Sequence, residues 1–191
     1  MKLVFATNNL NKLSEIKSLV SSKFEILSLQ DINCLEEIPE PYLTLEENAL
    51  HKARFVFENY GFNCFSDDTG LEVNVLGGEP GVYSARYAGD KCNALDNMHK
   101  LLLKLKNKTN RIAKFRTIVA LVINNEEFIF EGICSGNISL ENKGVNGFGY
   151  YAVFIPDGYN ITFAEMNKNQ KGTISHRGKA VKKLVDFLQD N

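Results

Sequence analysis

Five stretches of the sequence hold side chains whose types and spacing could do chemistry. Thr7-Asn8-Asn9-Leu10-Asn11-Lys12 is polar and turn-prone, between an apolar run and a helical pattern. Backbone N–H groups at a helix start attract anions and Lys12 adds a point charge, so phosphate is the obvious ligand. The glycines of a P-loop are missing, and an asparagine-rich helix cap would use the same residues. Asp67-Asp68-Thr69-Gly70 follows a short apolar run. Two adjacent acids beyond the carboxyl end of a strand can bind a hard cation such as Mg2+ through oxygen, and one could deprotonate a water. A tight turn favours Asp there as well.

Glu40 lies with Glu36 and Glu37 in a loop punctuated by Pro39 and Pro41. It could complete a metal site with Asp68 or simply stand in water. Gly147-Phe148-Gly149-Tyr150-Tyr151 sets rings beside flexible backbone; such rings can stack on a planar base or fill a core. Lys171 and Ser175-His176-Arg177 put basic groups at the start of the closing helical pattern. That opposes the helix dipole and points to an anion or an acceptor-rich ligand. The five stretches together supply a phosphate cradle, metal-binding acids, a base platform and polar base readers, the parts of a nucleotide-processing site.

Positioning these groups needs alternating strands and helices. Residues 2–6 read as a buried strand, and Leu13, Ile16, Leu19 and Val20 fall on one helical face. Residues 24–29 read as a second strand, and this order favours an α/β class. Thr44-Leu45-Glu46-Glu47 is a capping box that opens a helix burying Ala49, Ala53, Val56 and Phe57. Residues 63–66 and 71–76 read as strands with a turn at 67–70 between them, and 93–106 as a helix. Residues 112–123 and 126–134 are β-rich around an Asn124-Asn125 hairpin turn, and 137–140 could add a strand. Residues 152–155 read as a strand, and Ser175 caps a final helix carrying Ala180, Leu184 and Leu188.

The chain of 191 residues is long enough for one domain, 1–191, with two lobes. Its 22 basic and 23 acidic residues give a net charge of −1, a poor balance for clamping nucleic acid by counterion release. Cys34, Cys64, Cys92 and Cys134 lack zinc-site spacing. They read as reduced thiols of a cytoplasmic protein. The apolar run at the N-terminus is too short for a signal-peptide core, and no stretch is long and apolar enough to span a membrane.

In this order the segments resemble the inosine triphosphate pyrophosphatase family. Its T/S-G-N-x-x-K loop is similar to residues 7–12, its T-F-x-E-N-A helix start to 44–49, and its D-D-S/T-G-L segment to 67–71. Its L-G-G-x-P-G-x-Y-S-A-R-Y stretch matches 76–87, and its K-x-x-I-S-H-R-G matches 171–178. The resemblance implies an elongated α/β fold with a long mixed sheet and a cleft between two lobes. It implies Mg2+-dependent hydrolysis of ITP, dITP and XTP to the monophosphate and pyrophosphate by a cytoplasmic homodimer. Asp68 becomes the base that activates water and, with Glu40, a metal ligand; Asp67 is another acid in play. Thr7, Asn8, Asn9 and Lys12 would hold phosphates, and Thr69 and Gly149 would line the substrate. Phe148 and Tyr150 would flank the base, while Lys171, His176 and Arg177 would read it. Two positions depart from the pattern. Asn8 replaces a glycine, which Asn can imitate. Tyr151 replaces an aspartate, adding a ring and removing a charge near the base, and implies altered selectivity or weakened activity. The alternatives are the same chemistry on another nucleoside triphosphate, or nucleotide binding with impaired turnover.

Overall fold

A computed structural model describes residues 1–20 and 24–190. The elements run β1 (Lys2–Phe5), α1 (Leu10–Leu19), β2 (Glu25–Leu27), α2 (Leu45–Tyr60), β3 (Cys64–Val73), β4 (Pro80–Gly81), α3 (Ala94–Lys104), β5 (Ile112–Ile123), β6 (Glu126–Ile138), β7 (Phe154–Pro156), α4 (Lys168–Ile174) and α5 (His176–Asp190). The strands form one mixed sheet in the order β2-β1-β3-β5-β6-β7, with β4 against β3. The chain divides into two compact units, the first made of residues 1–68, 117–132 and 177–191 and the second of 69–116 and 133–176.

In the first unit β1 pairs in parallel with β2 and β3. Successive strand side chains point to opposite faces, and β1 serves two cores. Leu3 and Phe5 pack with Ile16 of α1 and with Ala180, Val181 and Leu184 of α5. Val4 and Ala6 pack with Val56 of α2 and with Leu29, Ile32 and Ile38. Burial on both faces is why the run reads as continuously apolar rather than alternating. Thr44 caps α2: its hydroxyl oxygen accepts from the Glu47 N–H at 3.2 Å, and its O–H donates to the Glu47 carboxylate at 2.7 Å. Ala49, Ala53 and Val56 are buried as the spacing predicts, whereas Phe57 stays half-exposed.

The second unit closes around Met98, Leu101 and Leu105 of the α3 region, Leu71 and Val73 of β3, Phe115 of β5, Phe154 of β7, and Phe163. Asn124 and Asn125 have φ of 51° and 69°, the left-handed pair that a two-residue hairpin turn requires between β5 and β6.

Several expected boundaries shift. α1 begins at Leu10, three residues earlier than its apolar face suggests, because Asn9 caps it. β2 and β7 are shorter than their apolar runs, residues 74–76 form a short 3-10 turn, and 137–138 prolong β6. α4, capped by Asn167, has no sequence expectation behind it. The main correction concerns 67–70, which is no turn: β3 runs unbroken through it. Ladder pairing on a buried sheet outweighs the turn preference of two aspartates. Gly70 is required there by close backbone approach, since a Cβ would lie 2.8 Å from the Gly81 carbonyl oxygen of β4. Gly70→Ala therefore forces β4 away. We expect a loss of about 1–3 kcal/mol, read as a fall of several degrees in Tm by calorimetry; an unchanged Tm would contradict this packing.

Candidate active site

The first unit gathers its charged residues around the middle of β3. Thr7 and Asn9 lie between β1 and α1. The Thr7 hydroxyl accepts from the Asn9 N–H at 3.1 Å, and the Asn9 side chain accepts from the N–H groups of Asn11 and Lys12 at 3.0 and 3.1 Å. These side chains thus satisfy the helix start itself, the plainer of the two readings of this segment. Asn8 is exposed and is not among the residues with positive φ, so its position does not call on the freedom of a glycine.

The cap sets the register of α1, which turns Lys12 and Glu15 the same way. The Lys12 ammonium lies 2.9 Å from Oδ1 of Asp67, a fully buried carboxylate. The Arg177 guanidinium, itself 1% exposed, lies 3.1 Å from Oδ2 of Asp67 and 2.6 Å from the Glu15 carboxylate. Burial would push Asp67 up, but Lys12, Arg177 and Lys52 outweigh it and hold the carboxyl well below the usual range. Asp67 is therefore a permanent anion and a poor proton acceptor. Expected beside His176 as a base reader, Arg177 directs its guanidinium to these acids.

Lys52 belongs to the same group although it drew no attention in the sequence. It lies on the buried face of α2 with Asn48, Ala49, Ala53 and Val56. Its ammonium bonds the Glu40 carboxylate and donates to the Asp67 carbonyl oxygen at 2.8 Å. Burial would favour the neutral amine, but Asp68, Glu40 and Asp67 keep it charged. A lysine on an apolar helical stripe was the available signal, because lysine is almost never buried unless paired. Asn48, four residues before it, brackets the loop carrying Glu40. Its side chain accepts from the Tyr42 N–H at 2.9 Å and donates to the Tyr42 carbonyl at 3.1 Å. Glu40 is half-buried; burial pushes its carboxyl up, and Lys52 followed by Lys12 brings it below its ordinary value.

Asp68 is 6% exposed and sits in the field of Lys52, Lys12, Glu40 and Asp67. Burial together with the two neighbouring carboxylates outweighs the lysines and pushes it up to about 6. The neighbours Asp67 and Asp68 thus differ in kind, one locked as an anion and the other poised to exchange a proton near neutral pH. Lys12, Lys52 and Arg177 face Glu15, Glu40, Asp67 and Asp68, so the ionised group carries one more negative than positive charge.

In the second unit Tyr150 and Tyr151 are buried, and Phe148, Gly149 and Thr69 are half-exposed. The Tyr150 hydroxyl donates to the Ser84 carbonyl at 2.8 Å, which roots that ring in the core. Ser84 accepts from the Leu71 N–H at 2.9 Å and donates to the Gly81 carbonyl at 2.6 Å, a physical reason for its place in the 76–87 stretch. The imidazole of His176 is buried and stacks on Phe115 with centroids 4.4 Å apart and planes 15° apart. The Lys171 ammonium stands 4.3 Å from the centre of the Tyr151 ring, and Phe148 tilts against that ring at 5.1 Å. Phe148, Lys171 and His176 thus gather around the Tyr151 ring. Phe115, which orients His176, carries no signal beyond its place in a strand.

Comparison with known proteins gives the family of the chain. Residues 3–187 match the Ham1 family. The chain is 54% identical over 188 residues to a dITP/XTP pyrophosphatase of Flavobacterium johnsoniae, covering 98% of each chain. Its fold superposes on the Staphylococcus aureus Ham1 protein with a TM-score of 0.90 at 36% identity, covering 100% of this chain and 99% of that one. A HAM1 protein from Coxiella burnetii gives 0.91 at 32% identity over the full length of both. The chain belongs to the Ham1 family.

Proposed function

We propose that the chain is a nucleoside triphosphate pyrophosphatase that hydrolyses non-canonical purine nucleotides, ITP, dITP and XTP, to the monophosphate and pyrophosphate. The observation that carries this reading is the pair of neighbouring acids on β3. Asp67 is fixed between Lys12 and Arg177, while the buried Asp68 lies in the range a general base needs at neutral pH.

Asp68 takes a proton from a water, whose oxygen attacks the α-phosphorus. The bond from that phosphorus to the bridging oxygen breaks, and pyrophosphate leaves. Lys12, at the start of α1, holds phosphate oxygens and meets the charge that develops on them. Lys52 holds Glu40 and keeps the field around Asp68 from becoming too negative.

Mg2+ fits the donor set. The candidate ligands Asp68 and Glu40 offer hard carboxylate oxygens, and the group carries an excess of negative charge. Among the described residues no three His, Cys, Asp or Glu side chains are arranged as a ready cage. That suits an ion usually held by one or two carboxylates plus water and substrate phosphates. When bound, Mg2+ supplies neutralisation of the triphosphate and of the leaving group.

On the base side, Phe148 supplies a ring face, and Lys171 and His176 supply donors. Their natural acceptor is a 6-oxo purine. Adenine puts an amino group at that position, and a site built on buried hydrogen bonds rejects such a mismatch. The near-neutral charge is a poor balance for clamping nucleic acid and leaves room for one small polyanion in a local pocket. No helix among the described residues is long and apolar enough to cross a membrane. All four cysteines are free thiols, which supports a cytoplasmic setting. The homodimer rests on the family resemblance.

The deciding experiment measures pyrophosphate release with Mg2+ from ITP, XTP, dITP, GTP, ATP and dTTP, with Asp68→Asn as control. Release confined to the first three, and reduced about 100-fold or more in the control, is the expected result. Release from a different nucleotide would keep the chemistry and change the substrate. Tight binding without release would make the chain a nucleotide-binding protein.

The same substitution has an opposite effect on stability. An acid raised in the folded state binds its proton more tightly there, so stability falls as pH climbs from about 4 through about 6. In chelator at pH 8, Asp68→Asn should therefore gain on the order of 2–3 kcal/mol, and the gain should vanish below about pH 4. Urea unfolding at both pH values reads this directly; a variant less stable at pH 8 would show that Asp68 serves the fold rather than the reaction.

A further inference from the structure

Tyr151 is 3% exposed, so its bulk goes into the core of the second unit rather than toward a ligand. Its contacts nevertheless reach the whole base-reading group. Lys171 stands over its face at 4.3 Å from the ring centre, Phe148 tilts against it at 5.1 Å, and His176 meets it edge-on at 6.0 Å. Phe115 and Phe163 pack edge-on at 5.8 and 5.4 Å. The loop is moulded to the same ring, since a Cβ on Gly147 would fall 2.4 Å from the Tyr151 Cδ2. The ring is thus fixed from several sides and in turn fixes the ammonium of Lys171.

An aromatic face attracts an ammonium through its quadrupole while adding no formal charge. A carboxylate at this position would hold the same ammonium by an ion pair and make the base-reading group one charge more negative. The two choices treat different purines differently. Hypoxanthine is neutral at physiological pH. Xanthine carries a second oxo group and loses a ring proton close to neutrality, so a substantial fraction presents an anionic base.

We infer that Tyr151 is a positioning residue that holds Lys171 over its ring and, by keeping the group one charge more positive than an acid would, favours xanthine nucleotides over hypoxanthine nucleotides. The inference rests on the proposed function only for the placement of a purine base beside Phe148, Lys171 and His176, and not on turnover. Tyr151 acts through its neighbours, since its own surface is covered.

The test uses the reaction products, so it does not depend on hydrolysis. Binding of XMP and IMP is measured by calorimetry in chelator at pH 7.5 for the wild type, Tyr151→Phe, Tyr151→Asp and Lys171→Gln, with Tm recorded for each. The wild type should bind XMP more tightly. The ratio of the two Kd values should shrink by about fivefold or more in Tyr151→Asp and Lys171→Gln. It should stay within about twofold of wild type in Tyr151→Phe, which keeps the ring. If the buried acid prevents folding, Lys171→Gln carries the comparison alone. Equal binding of the two by the wild type, no binding of either, a ratio unmoved in Lys171→Gln, or a ratio lost in Tyr151→Phe would each overturn the inference. Retention of the pattern in a protein that releases no pyrophosphate would overturn the proposed function and leave this inference standing.

Discussion

A carboxylate removed from water has to be held by cations, and Asp67 is held on both oxygens. Lys12 approaches one oxygen from α1 and Arg177 the other from α5, while Lys52 of α2 donates to the carbonyl of the same residue. Three helices are thereby tied to one strand position by charge. Apolar packing brings these helices to the sheet but leaves their sliding and rotation loosely set. The ion pairs fix both, because a cation displaced by an ångström or two would leave a buried charge uncompensated. Buried pairs of this kind are weak evidence for net stability and better evidence for a unique arrangement.

The same constraint separates the roles of two chemically identical neighbours. Adjacent strand residues leave the backbone in opposite directions. Asp67 meets its cations directly, whereas Asp68 is buried with carboxylates as well as lysines in its field. One sequence doublet thus yields a locked anion and an acid raised toward neutral pH, and neither state is a property of aspartate as such. Glu15 and Asn48 extend the pattern outward. The first holds the guanidinium that holds Asp67, and the second pins the loop that brings Glu40 to Lys52.

Much of this was legible in the residues. The alternation of elements, the Thr44 cap and the Asn124-Asn125 turn follow from local chemistry, and each lies where that chemistry puts it. The charged segments were visible as segments. Their pairing was not, because Asp67 and Arg177 are 110 positions apart and only tertiary packing joins them. The same limit explains the strand through 67–70: local turn preference is readable, while the pairing that overrides it lies elsewhere in the chain. Lys52 was overlooked for a different reason, since a helical stripe invites attention to its apolar members. Tyr150 shows the converse. Ring content beside glycines suggested a stacking surface, yet its hydroxyl is spent inside the core on Ser84.

The order of the chain adds a consequence of its own. α5 supplies Ala180, Val181 and Leu184 to the core that β1 begins with Leu3 and Phe5. During synthesis that core stays open until residues after 176 have emerged, and contacts so distant in sequence form late. Arg177 arrives with the same helix. A ribosomal product stopped before it would therefore lack both the closing wall of the first unit and one of the cations that make a buried Asp67 tolerable. A partner for the buried Asp67 and the closing wall of the first core come from one segment, so a chain shortened before it leaves both open to proteolysis at once.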